Sequence, residues 1–595
     1  LTGAFMLATG TSDVFAKKKE KVQTEAKSDT VRTASKKRNT QYPRLFKNKR
    51  VVTKKGLITI HKIDDKLYFE FPKSLLGREF LMGSSISATS DNTSGLVGQT
   101  MTTPLHIRFA IQEDQVYMQN VTPVSRMDVY SNQSDISKAV AKSNITPDME
   151  SFKIAAYNMD STAVVFEVTK FFLADNKRLP LFDQNSSSLE DEKYGQLELK
   201  AVLKKNLSSI RNFYVFDDNL EINLDMSFYQ SLLASKKEVR GGNVRVKAVY
   251  SMLLLPEETM VWRLGDPRLG YTFTKKQKIS TEKDGTAFSY LQHKWNLLPA
   301  DEEAYRRGDL VAPRKPVVFY IDSDFPEAWK KAIKEGVNWW NEAFKMAGFK
   351  DAVQTADFPA NDTTFYAGNL KYSCIRYVPV NLSKTQSKVW VDPRSGEIIN
   401  GTIFVGHDIA KTIASQRFVQ TAQVDERMRG IQLSEEVLLE GIRLYVAREV
   451  GHCLGLADNA SASAAFSVES LRSPEFTRQN GIASSVMDEL PYNYIAQPQD
   501  GKADFIQNKL GAYDLFAIQM GYMLVPDAKS PEEIREKIMR WVSMKSGDPV
   551  YRYGKAQYQG AEYDPSALGG DLGNNAVKAG KYGISNLKYI LGNMD

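Results

Sequence analysis

Apolar and polar residues alternate in short runs through the first half of the chain, at 56–63 (GLITIHKI), 67–71 (LYFEF), 104–112 (PLHIRFAIQ), 115–121 (QVYMQNV) and 162–168 (TAVVFEV). A period of two between turn residues predicts half-buried strands in twisted antiparallel sheet. The polar, turn-rich stretch 173–195 marks a junction, and a second β-rich group follows at 197–203, 210–228 and 243–255. Residues 262–273 read as a loop leading back into a strand, and 297–316 as a linker. Beyond it the period changes. After an apolar strand at 317–322, Trp329, Ile333, Val337, Trp340 and Phe344 recur every three or four residues. That spacing predicts a helix over 327–349, entered at Pro326 and stopped at Gly348. Strands at 372–379 and 388–405 follow, the latter a hairpin turned at Pro393-Arg394-Ser395-Gly396, with an edge open to an extended peptide. Helices are expected at about 408–427, 434–454, 504–522 and 531–544, with a short helical piece near 586–592.

The pattern is that of an α+β chain: a β-rich N-terminal region, an α/β domain, and a helical C-terminal part. The expected divisions are 1–16, 17–45, 46–180, 181–312, 313–525 and 526–595. At 595 residues, several domains with sizeable cores are expected. An apolar content of 42% with 25% charged residues is that of a globular protein.

Charge changes the picture only at the N-terminus. Residues 17–38 hold nine Lys/Arg against three Asp/Glu, and 41–60 add six basic residues and no acidic one. No aromatic interleaving or nucleic-acid motif accompanies them, so 17–45 reads as a flexible leader and not as a nucleic-acid site. Residues 1–16 (LTGAFMLATGTSDVFA) resemble the later part of a secretory signal peptide, with a cut expected after Ala16. Export follows as the expectation: periplasmic, outer-membrane associated or secreted. No segment has eighteen uninterrupted apolar residues, so no transmembrane helix is expected. Two cysteines, Cys374 and Cys453, give no disulfide framework.

The candidate chemistry lies at 448–459, Arg-Glu-Val-Gly-His-Cys-Leu-Gly-Leu-Ala-Asp-Asn. The zinc-peptidase pattern H-E-x-x-H-x-x-G-x-x-H places two imidazoles on one helical side, a Glu as base for the metal-bound water, and a third ligand after a Gly turn. Glu449, His452 and Gly455 stand where that pattern needs them, with Gly451 as a supporting residue, but Arg448 and Asp458 hold the first and third ligand positions. A guanidinium has five donors, no acceptor and a permanent charge, so it cannot ligate zinc. The two departures are opposite in charge. They predict an Arg448–Asp458 salt bridge at the ligand positions, shared with Glu449.

The whole chain, from about Gly56 onward, resembles the exported zinc-dependent metallopeptidases of Bacteroidetes-type bacteria, which are metzincin-like. Carrying the likeness are 56–81, 266-DPRLGYTF-273, 335-EGVNWWNEAFKMAGF-349, 392-DPRSGEI-398, 467-SVESLRSPEFT-477, 484-SSVMDELPYNYIAQPQD-500 and 513-YDLFAIQMGY-522. The resemblance implies a zincin α/β domain with a signature helix and a Met-turn at Met487, zinc ligands at 448, 452 and 458, and Glu449 as base. With the ligand set altered, no metal cofactor is expected, Glu449 is a vestigial base, and the chain is expected to be an inactive homologue. Its expected partners are a peptide or protein, or an outer-membrane or other envelope complex. The alternative is an active metallo-endopeptidase that uses His452 and Asp458 as ligands.

Overall fold

A computed structural model describes residues 41–593 except 93–94, 99, 122–126, 130–137, 140–141, 183–188, 192–194, 280–286, 363–364, 381–384, 431, 556 and 558–562. The signal-peptide expectation for 1–16 and most of the leader expectation for 17–45 lie outside the described residues. Residues 41–46 are helical rather than a flexible tail. Tyr42, Leu45 and Phe46 pack on Ile63, Tyr68 and Val165, and the Tyr42 hydroxyl donates to Glu70 Oε2 at 2.6 Å.

The strand-rich half forms one antiparallel sheet of thirteen strands. Its central joint pairs Glu79–Thr89 with Lys237–Leu254, in register from Phe80↔Leu254 to Val246↔Thr89. The ladder therefore runs without interruption across residues 180–181, and one apolar core takes residues from both β-rich groups, from Leu57 to Met252. The run read as a single strand at 210–228 is two, Ser209–Val215 and Asn219–Ala234, reversed at the polar pair Asp217-Asp218. Asn219–Ala234 then turns through Ser235 (φ 47°) and Lys236 (φ 67°) into Lys237–Leu254. Two successive left-handed residues suit the twist of a tight hairpin. Alternation along Asn219–Ala234 sends Leu220, Ile222, Leu224 and Met226 into the core and Glu221 and Asn223 to the opposite face.

The following region carries a five-stranded sheet. Its strands are β1 (Val317–Ile321), β2 (Val353–Asp357), β3 (Ser373–Val378), β4 (Thr385–Asp392) and β5 (Glu397–Gly406), in the order β2-β1-β3-β5-β4. All neighbours are parallel except β4, the antiparallel edge. The helices around it are α1 (Glu327–Asn338), α2 (Trp340–Met346), α3 (Ile409–Thr421), α4 (Glu435–Cys453), α5 (Ala512–Tyr522), α6 (Pro531–Ser543) and α7 (Ala576–Leu591).

Three helices differ from the periodicity reading. The single helix expected over 327–349 is broken at Trp339, and Trp340 sends its indole N–H to the Ala447 carbonyl of α4 at 2.8 Å. The helix expected from 504 begins only at Ala512. There the Asp514 carboxylate caps the Gly511 amide at 2.8 Å, and a Cβ at 511 would lie 2.0 Å from the Ser484 carbonyl oxygen. The short piece near 586–592 is the end of sixteen-residue α7, whose Asn575 cap accepts from the Lys578 amide. Among the described residues no helix is long and apolar enough to cross a membrane.

Candidate functional site

Helix α4 starts at Ser434, whose hydroxyl accepts from the Val437 amide at 3.3 Å, with Glu435 and Glu436 in the first turn. A Ser cap and early acids favour a helix start by about 1 kcal/mol. Its inner face buries Val437, Ile442, Val446, Val450 and Cys453. Close approach to α1 uses Gly336, where a Cβ would lie 2.6 Å from the Arg443 carbonyl oxygen. This packing fixes the last turn, on which Arg448, Glu449 and His452 stand.

The chain leaves the helix at Gly455, where φ is +96° and a Cβ would lie only 2.2 Å from the His293 carbonyl oxygen, so no other residue fits there. Leu456 donates back to the Gly451 carbonyl at 3.0 Å, and Ala457 donates to the Gly270 carbonyl at 2.7 Å. The turn returns Asp458 to the side of α4 that carries residues 448 and 452.

There the structure brings the sequence-selected residues together. Arg448 Nη2 lies 2.5 Å from Asp458 Oδ1, and the same oxygen is 3.3 Å from His452 Nε2. Arg448 Nη1 is 3.9 Å from Glu449 Oε1. The Glu449 oxygen accepts from the Thr385 hydroxyl at 3.0 Å, which ties it to the start of β4. His452 Nδ1 faces the Leu456 carbonyl oxygen at 3.0 Å. Burial works to raise the Asp458 carboxyl, but hydrogen bonding to His452 and the adjacent Arg448 charge hold it below the usual carboxylate range.

Met487 is fully buried directly beneath this turn: a Cβ at Gly451 would come 2.3 Å from its Sδ. Its carbonyl accepts from the Asn459 amide at 3.0 Å, so the methionine turn and the Gly turn are joined. A partner that sequence reasoning missed is Asp514. Its carboxylate accepts from the Ser485 hydroxyl at 2.6 Å and the Val486 amide at 2.9 Å, holding the turn from below. Burial pushes this carboxyl up to about 6. Its signal was an Asp one turn inside a helix behind Gly, a cap pattern.

The residues present do not fit a zinc ion. A catalytic zinc needs three deprotonated donors with an open fourth position. Here one imidazole and one carboxylate face each other, and a guanidinium at the first position occupies the carboxylate oxygen. Among the described residues no group of three or more His, Cys, Asp or Glu is arranged to hold a metal. Cys453, on the same turn, is fully buried, and burial drives its thiol well above the ordinary range.

Beside Arg448 opens a cleft of about 440 Å³. It is bounded by Thr385 of β4, Gln416 and Gln420 of α3, Tyr445 of α4, and Asp488 and Tyr492 after the methionine turn. Asp488 is 2% exposed, and its Oδ1 has no hydrogen-bond partner among the described residues. Burial pushes its carboxyl up to about 7.

Comparison with known proteins agrees with the C-terminal geometry. Residues 430–595, from just before α4 to the end, match a family described as Met-zincin. Residues 98–300 match a family described as Domain of unknown function (DUF5117), and 40–89 match one described as Domain of unknown function (DUF5118). No curated protein and no solved structure matches the chain. The match supports a distant metzincin-like domain over residues 430–595, carried on an α+β chain with a β-rich N-terminal half.

Proposed function

We propose that this chain is a metzincin-like protein that binds extended peptide or protein segments without hydrolysing them. In this reading α4 is the signature helix, the turn at Met487 is the Met-turn, and Glu449 is a vestigial base. The observation that carries it is the 2.5 Å contact between Arg448 Nη2 and Asp458 Oδ1, which joins the first and third ligand positions by an ion pair. A permanent positive charge at the first position repels a dication and offers no lone pair. The cleft beside it supplies what a peptide needs: the edge strand β4, hydroxyl and amide side chains, and the rings of Tyr445 and Tyr492.

Elemental analysis of purified protein, alongside the Arg448→His/Asp458→His double variant, tests the loss of the ligands. The wild type is expected to lack stoichiometric zinc after metal challenge, while the double variant binds about one equivalent. Binding of a randomised peptide pool to the wild type, compared with Tyr492→Ala, tests the cleft. Chelator-sensitive proteolysis by the wild type would overturn the reading in favour of an active endopeptidase with His452 and Asp458 as ligands.

A further inference from the structure

The two sheets face each other across a cavity of about 330 Å³, and the faces they present carry polar and charged side chains among apolar ones. From the large sheet, register places Glu221, Ser251, Asn223, Val249 and Ser85 on one face, opposite the side that forms its core. From the small sheet, pairing of Lys388 with Thr402, Gln386 with Phe404 and Arg376 with Phe404 puts Arg376 and Lys388 on the face that looks back. Each end is closed by an aromatic ring seated on a glycine. A Cβ at Gly83 would lie 3.0 Å from the Trp390 ring, and one at Gly98 would lie 2.6 Å from the Phe404 ring.

Within this chamber the charges do not balance. Glu221 is 3% exposed, and its Oε1 accepts from the Tyr366 hydroxyl at 2.5 Å and the Asn223 amide at 2.7 Å, both neutral donors. Neither Arg376 nor Lys388 makes a side-chain hydrogen bond or ion pair with any described residue. Two cations thus share a partly enclosed space with one carboxylate, which feels the charge of both but is hydrogen-bonded by the neutral Tyr366 and Asn223. Burial pushes that carboxyl above its usual range and lowers the Lys388 ammonium to about 8, so Arg376 is the permanent charge of the chamber. Cations removed from bulk water call for an anionic partner.

We infer that this cavity between the sheets is a binding site for a small oxyanion, a carboxylate or a phosphate group, held by Arg376 and Lys388. The guanidinium supplies planar paired donors and the ammonium a point charge. The site lies on the far side of β4 from Glu449 and does not rest on the peptide-binding reading.

Isothermal titration of the full chain at low ionic strength, with inorganic phosphate and succinate as separate probes, tests it. At least one probe is expected to bind with unit stoichiometry and raise Tm. Arg376→Gln and Lys388→Gln should each weaken it by about tenfold or more, as loss of a charge-assisted hydrogen bond does. Glu221→Gln, which removes the opposing charge, should tighten it. Binding of phosphate alone identifies a phosphate ligand, and binding of succinate alone a carboxylate. Lys388→Met, which keeps the aliphatic stem against Trp390, serves if the Gln variants fail to fold. Silence of the wild type toward both probes, or affinity unchanged in Lys388→Met, would overturn the inference.

Discussion

Two guanidinium groups lean on α4, one near each end, and their surroundings differ in one respect. Arg417 is wholly buried, and each donor nitrogen finds a carboxylate. Its Nε and Nη2 donate to Asp425 Oδ2 at 3.0 and 2.8 Å, and its Nη1 to Glu440 Oε2 at 2.5 Å. Arg427 closes the network from outside, at 2.9 Å from Asp425 and 3.0 Å from Glu440. Arg448 has one short contact, to Asp458, and its Nε is buried without a partner among the described residues. A saturated network locks helices together, whereas a half-satisfied group at the mouth of a cleft keeps capacity for something else. The same residue type is therefore a rivet in one place and a half-satisfied cation at a cleft in the other.

Breaking the rivet should have the largest effect. Arg417→Met takes the buried guanidinium from buried Asp425 and half-buried Glu440, leaving them Arg427 alone, and should cost about 3 kcal/mol in urea unfolding. A loss below about 1 kcal/mol would erase the contrast between the two arginines. Next comes the packing under Arg448. Gly451→Ala drives a Cβ to 2.3 Å from Met487 Sδ and 2.7 Å from the Trp340 ring, which should cost about 1–3 kcal/mol, read as a lower Tm. Met487→Ala in the same chain should recover part of that loss.

The third test takes a carboxyl with no cation, Asp488. Its folded pKa of about 7 lies above the ordinary carboxylate value, so the folded state keeps a proton that the unfolded chain has released. Its contribution is therefore most favourable below about pH 4, falls as pH rises toward about 7, and is flat above, with a slope no steeper than about 1.4 kcal/mol per pH unit. The difference in urea midpoint between wild type and Asp488→Asn at pH 5 and pH 7 should show this sign. Asp458, depressed by its hydrogen bond to His452 and by the Arg448 charge, acts the other way: its contribution is lost as pH falls through its folded value. The smallest effect is expected from Arg448→Met. Asp458 is 43% exposed and solvent screens the pair, so the cost should stay within about 1 kcal/mol.

How much of this was legible in the sequence follows from the range of the interactions. The cap at Ser434, the inner face of α4 and the turn at Gly455 are local, and each is written within a few residues. The contact of Arg448 with Asp458 was equally readable, because ten residues of helix and turn fix the geometry. The N-terminal edge of α5 was not, because Gly511 is governed by Ser484, twenty-seven positions away. Nor was the chamber between the sheets. Lys388 and Arg376 look like ordinary surface cations until a register spanning Glu79–Thr89 and Lys237–Leu254 sets Glu221 opposite them. Helix α7 was underread because Gly580 and Gly583 look like breakers, although Ala579 and Asn586 are both buried.

The continuity of the large sheet bears on how the protein can be cut. Residues 46–180 would carry Glu79–Thr89 but not its partner Lys237–Leu254, opening a strand edge nine register pairs long on which alternate residues lose their ladder hydrogen bonds. Such a strand, Phe80-Leu81-Met82 at its start, is a template for another copy of itself. A fragment ending near 180 should therefore self-associate at concentrations where one extended through Leu254 stays monomeric, a difference that light scattering can follow. The covalent chain offers many places to divide it; the hydrogen-bond ladder removes the one that lies between its two β-rich halves.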